Sequence, residues 1–126
     1  MKEHLHKIRV YYEDTDMGGI VYHANYIKFC ERARSEKFFS ANFTLGDGDC
    51  HFVVKDLSAH FLKPARLGDL LHVSAQVLTC KNASLVVRHE IFKEEEKLFW
   101  MDVTLAYVCK GKLSRIDEAT KVFLLG

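Results

Sequence analysis

Apolar and polar positions alternate along residues 4–13. His6, Ile8, Val10 and Tyr12 fall on one face, and Lys7, Arg9, Tyr11 and Glu13 on the other. A period of two, with aromatic and β-branched side chains, predicts a strand. DTDMGG, Asp14 to Gly19, follows with the composition of a turn. From about Asn25 to Phe43 the pattern changes. Proline and glycine are absent, helix formers are frequent, and Ile27, Cys30, Phe38 and Ala41 share one face with Tyr26, Phe29 and Ala33 beside it. So wide an apolar arc predicts a helix more buried than a surface helix. Gly46 and Gly48 mark the loop after it.

The remainder reads as strands joined by short turns. Phe52 to Leu62 is followed by the turn PARLGD, Pro64 to Asp69. Leu71, Val73, Ala75 and Val77 alternate with polar residues up to a tight turn at Lys81 and Asn82. Leu85, Val87 and Ile91 alternate as far as the acidic turn Glu94 to Glu96. Phe99, Met101, Val103, Leu105 and Tyr107 mark the longest strand, and 117–124 a short terminal helix. Short turns imply antiparallel neighbours. One long apolar helix and one large antiparallel sheet must bury their faces on each other. The expected class is α+β, a curved antiparallel sheet wrapped around one helix, which is the hotdog architecture. A helix on an open sheet is the alternative.

Composition narrows this picture. The 126 residues suit one continuous domain, 1–126, and 48% hydrophobic with 28% charged content is ordinary for a globular chain. The formal net charge of +1 lacks the concentrated basic face that nucleic acid or an acidic membrane requires. Lys28, Arg32, Arg34 and Lys37 alternate with Glu31 and Glu36 at helical pairing distances, which predicts a solvated helix face. Cys30, Cys50, Cys80 and Cys109 are isolated, and the opening MKEHLHKIRVYY is not a signal peptide. Free thiols in a cytoplasmic protein are therefore expected, with neither a disulfide framework nor a metal site. No run approaches the ~20 apolar residues of a transmembrane helix.

The chemistry concentrates between Tyr11 and Glu36, YYEDTDMGGIVYHANYIKFCERARSE. An acidic turn and two glycines lead into a helix start. Gly18 and Gly19 permit unusual backbone conformations and close approach of a ligand. A helix beginning near Val21 to Asn25 presents unpaired N–H groups whose dipole favours negative charge. Asp16 stands just before them. A carboxylate beside an oxyanion site suits attack on a carbonyl. Asp16 as a helix cap, and Asp14 as a turn residue, are the structural alternatives.

This stretch resembles the signature of hotdog enzymes of the 4-hydroxybenzoyl-CoA thioesterase type, and especially the YbgC-like acyl-CoA thioesterases. The matching residues are Asp16, Gly19, Val21, Tyr22, His23, Asn25 and Tyr26, with Arg34 and Glu36 further along and PARLGD as the later turn. The resemblance implies Asp16 as catalytic carboxylate and the His23 backbone N–H as the group polarising the thioester carbonyl. Tyr22 and the His23 side chain would be catalytic helpers, or else packing residues. Gly19 and Val21 would border the substrate. Lys63 and Arg66 could reach the CoA phosphates or be plain turn charges. The family's members are usually cytoplasmic dimers or tetramers built from hotdog dimers, need no metal or other cofactor, and in some cases serve lipid metabolism. Within the same fold, an acyl carrier protein thioesterase, a dehydratase or a non-catalytic acyl-CoA-binding module are the competing functions. An unpaired long edge strand points independently to a two-fold oligomer.

Overall fold

The structure, a computed structural model, describes residues 4–40, 46–47 and 49–125. It contains β1 (His4–Arg9), α1 (His23–Ser40), β2 (Gly46–Asp47), β3 (Cys50–Phe61), β4 (Leu70–Cys80), β5 (Ser84–Lys93), β6 (Glu96–Cys109), β7 (Lys112–Leu113) and α2 (Glu118–Leu125). The strands form one sheet in the order β1-β4-β5-β6-β3-β2, with β7 paired to β6. Every pairing is antiparallel. Register shifts interrupt the ladders between Val54 and Asp56, Val77 and Thr79, and Ile91 and Phe92. Such irregularities increase local twist and bend a strand. The sheet packs against α1 through β1 and β4, and the architecture is the hotdog.

The core follows the predicted periods. Tyr26, Phe29, Cys30 and Ala33 of α1 are buried at helical spacing. Leu71, Val73 and Ala75 of β4, Leu85, Val87 and Ile91 of β5, and Phe99, Met101 and Val103 of β6 are buried at spacing two. Burying a side chain such as Phe29 or Phe99 stabilises by roughly 1.5–3 kcal/mol. β6, at 14 residues, is the longest strand.

Several expectations need correction. The first strand ends at Arg9 rather than at residue 13. Tyr12–Asp14 instead form a single 3-10 turn, held where the Asp14 Oδ2 accepts the Tyr11 N–H at 2.9 Å. The helix starts at His23, ahead of Asn25; positions 41–43 and Gly48 lie outside the described residues, as does the Phe38 side chain. Gly46 belongs to β2, not to a loop. Free thiols are contradicted at two positions. Cys50 and Cys109 form a disulfide, because the β3–β6 register sets them opposite each other with Cα atoms 4.1 Å apart across a sequence separation of 59. Cys30 and Cys80 are free. Nor is the basic run of α1 uniformly solvated. Arg34 turns inward to His89, which occupies the core-facing position between Val87 and Ile91.

Candidate active site

The DTDMGG segment closes on itself before it reaches α1. Asp16 N–H donates to the Ile20 carbonyl and Gly19 N–H to the Asp16 carbonyl, each at 3.0 Å. Gly19 adopts φ +76°, where a side chain would be strained. The Asp16 Oδ1 accepts the Gly18 N–H at 2.8 Å. A Cβ on Gly18 would lie 3.3 Å from that oxygen, so residue 18 must be small for the carboxylate to hold its place. The loop then docks on the proline turn. Ile20 bridges to Arg66, and Val21 N–H donates to the Ala65 carbonyl at 2.9 Å.

Asp14 and Asp16 have different surroundings. Asp14 is buried, its oxygens accepting the Tyr11 N–H and the Asn25 side-chain amide at 2.9 and 3.0 Å. The Asp14 carbonyl also receives the Tyr22 N–H at 2.8 Å. Asp14 thus fastens the 3-10 turn to the first turn of α1. Asp16 is exposed, and its carboxylate bonds within its own turn rather than to the helix. Capping is therefore not what holds Asp16.

Asn25 N–H donates to the Tyr22 carbonyl at 2.8 Å. Helix geometry leaves the N–H groups of His23 and Ala24 without an intrahelical acceptor. In front of this terminus lies a cleft of about 430 Å³ lined by Asp16, Val21, His23, Tyr26, Phe61 and Lys63, among others. Tyr26 forms its floor, stacked on Phe99 with centroids 5.1 Å apart and edge-on to Phe61 at 5.6 Å. Its hydroxyl accepts the Ala65 N–H at 2.9 Å. Burial raises the Tyr26 pKa and outweighs the Ala65 bond that lowers it; the charges of Asp69 and Asp16 raise it further. The hydroxyl stays protonated, with its own hydrogen free to donate.

The profile of the thioesterase superfamily matches residues 18–99. The chain belongs to the thioesterase superfamily. Several of its relatives are YbgC proteins. An acyl-CoA thioesterase YbgC of Haemophilus influenzae is 40% identical over 113 residues, covering 86% of this chain and 83% of that protein. One from Helicobacter pylori is 45% identical over 86 residues, 68% of this chain, and the match spans 65% of the relative's own length. Among solved structures, a probable thioesterase from Bartonella henselae superposes with a TM-score of 0.80 at 33% identity, over 91% of this chain and 98% of the other.

Against this thioesterase frame, Asp16, Val21, His23 and Lys63 all line the one cleft. Gly19 shapes the turn behind it. Tyr22 is exposed with its ring 4.5 Å from that of His23, and does not line the cleft. Lys63 is ion-paired with Glu96. Arg66 does not line the cleft; its N–H donates to Asp69 Oδ2 at 2.9 Å within the proline turn. Asp16 itself precedes the matched stretch by two residues. Among the cleft residues, Phe61, Leu62 and Ile20 carried no local signal in the sequence. Tyr26 did, as part of the helix signature, but its hydroxyl bond to Ala65 depends on a segment 39 residues away. Among the described residues no three His, Cys, Asp or Glu side chains group as metal ligands, and no helix is long and apolar enough to cross a membrane.

Proposed function

We propose that this protein hydrolyses acyl-CoA thioesters to a free acid and CoA, with Asp16 as its reactive carboxylate. The observation that carries this is the exposed Asp16 side chain sharing a cleft with the N-terminus of α1 at His23. The YbgC relatives support the choice of thioester. In one route an Asp16 oxygen adds to the carbonyl carbon, the tetrahedral oxyanion collapses with loss of CoA thiolate, and water hydrolyses the resulting mixed anhydride. In the other, Asp16 takes a proton from a water that adds directly. Both pass through an oxyanion, which the His23 N–H and the helix dipole would stabilise. One such donor typically lowers the barrier by roughly 2.7–4 kcal/mol.

The reading extends to a two-fold dimer. Among the described residues, β3 pairs on one side with β6 and on the other with just the two residues of β2. Val53, Leu57 and Phe61 of this edge strand are exposed. Phe61 also lines the cleft, so a partner strand on this edge would complete its wall. A 14.5 kDa monomer in sedimentation that retained full turnover would defeat this dimer.

The deciding experiment is a panel of acyl-CoA esters with short, long and aromatic acyl groups, followed by release of free thiol. Thiol release that survives exhaustive chelation is expected. Binding without thiol release, or formation of a double bond, would overturn the assignment.

A further inference from the structure

A second cavity lies toward the other end of α1. It measures about 240 Å³ and is walled by Phe52, Val54, Val77, Val87, Leu105 and Leu124, the last contributed by α2. An engineered apolar cavity of roughly 150 Å³ already suffices for benzene. It shares no lining residue with the Asp16 cleft. Arg34, its key polar residue, follows His23 by three helical turns, roughly 16 Å along the axis.

Arg34, Lys37 and Glu31 of α1 also line this cavity. The Arg34 Nη1 donates to His89 Nε2 at 2.9 Å, and His89 Nδ1 lies 2.9 Å from the Ser74 carbonyl oxygen. A guanidinium only donates and a carbonyl only accepts. The ring must therefore carry its hydrogen on Nδ1 and its lone pair on Nε2, which makes it neutral. Burial pushes the His89 pKa down to about 3, with the Arg34 charge as second cause, in keeping with that tautomer. Arg34 is thus held by a neutral acceptor. Among the described residues no carboxylate forms an ion pair with it, and Glu31 acts on it only through space.

A half-buried cation on a neutral partner, partly withdrawn from water, favours an anion beside it. The planar fork of a guanidinium matches a carboxylate best, and the apolar walls match an aliphatic chain. We propose that this cavity binds a medium-chain aliphatic carboxylate, with its head group on Arg34 and its chain between β3, β4, β5, β6 and α2. The cavity exceeds the roughly 150 Å³ that accommodates benzene, which leaves room for a chain of that class. The site is separate from the Asp16 cleft and does not require that cleft to be hydrolytic.

The test titrates sodium octanoate and 1-octanol into the full chain by calorimetry, with amide chemical shifts locating the ligand. Octanoate should bind once per chain and at least tenfold more tightly than octanol, with shifts at residues of β4, β5 and the second half of α1. Arg34→Met should abolish the preference for octanoate, and Arg34→Lys should restore part of it. Val77→Phe, at a half-buried position, should weaken octanoate at least tenfold with Arg34 in place. It keeps the test decisive if Arg34→Met does not fold. Asp16→Asn should bind octanoate as the unaltered protein does, whatever becomes of its thioester hydrolysis. No octanoate binding, equal binding of octanol, an unchanged preference in Arg34→Met, or shifts confined to the Asp16 cleft would each overturn the proposal.

Discussion

The two ends of α1 stand in different kinds of surroundings. At the N-terminus, Asp16 is exposed and bonds to Gly18, two residues away. Toward the C-terminus, Arg34 is pulled under the helix by His89, 55 positions later, and His89 by Ser74 on a third element. One end is organised by neighbours in the chain and remains open to water. The other is organised by residues that meet only when the sheet closes. The contrast teaches that an exposed charge and an inward-turned one differ in where their hydrogen bonds come from. At Asp16 a local bond orients the carboxylate without covering it, whereas at Arg34 distant bonds draw a half-buried cation toward the sheet.

The largest expected effect tests the open end. Asp16→Asn keeps the side chain's shape and the acceptor oxygen for Gly18 N–H but removes the negative charge. Thioester hydrolysis should fall at least hundredfold with the melting temperature little changed. An Asp16→Asn protein of undiminished turnover would end the assignment. Asp14→Ala should behave the other way. It leaves the Tyr11 N–H and the Asn25 amide without their buried acceptor, which costs about 1–3 kcal/mol of stability. Denaturant melts should show that loss, and turnover per folded molecule should fall far less than in the Asp16 variant.

The buried end is tested by pH. His89 is held well below its ordinary range, at about 3, so the folded protein keeps the ring neutral while the unfolded chain protonates it below about 6.5. Its contribution to stability is complete above that value and drains as pH falls toward the folded pKa, by at most about 1.4 kcal/mol per pH unit. His89→Gln retains an acceptor for Arg34 but cannot titrate. Urea denaturation at pH 7 and pH 5 should therefore show a shallower loss in the variant, by up to about 2 kcal/mol. Equal pH slopes would mean that His89 is not the titrating group.

The smallest expected effect returns to the open end. In Gly18→Ala, the new methyl group would press on Asp16 Oδ1 from 3.3 Å. A few-fold drop in turnover with an unaltered melting temperature is expected, because only the carboxylate has to shift. A variant with full activity would show that its position is not critical.

Most elements were legible in the sequence because each depends on a repeat of two or 3.6 residues read within a short window. β4, β5, β6, α1 and α2 all fall close to their predicted spans. The Asp14 to His23 segment was legible for the same reason, since its turn is closed by Asp16, Gly18, Gly19 and Ile20 alone. Where register decides, the local pattern was silent. Cys50 and Cys109 looked isolated because spacing rules see only near neighbours, while the β3–β6 ladder makes them adjacent. Arg34 looked like one more charge on a solvated helix. The single sign of its partner was a histidine in a core-facing place, where Leu85, Val87 and Ile91 repeat at intervals of two and position 89 interrupts the apolar series. Phe61 reached the cleft only by strand placement. The sequence by itself determined the order of elements, the apolar faces and the acidic turn before the helix, because those follow from contacts a few residues apart. Only the tertiary structure decided which helix charge turns inward, which cysteines join and which side chains wall the two cavities. Those outcomes depend on the register of strands separated by tens of residues, and register is set by the packing of the whole sheet on α1.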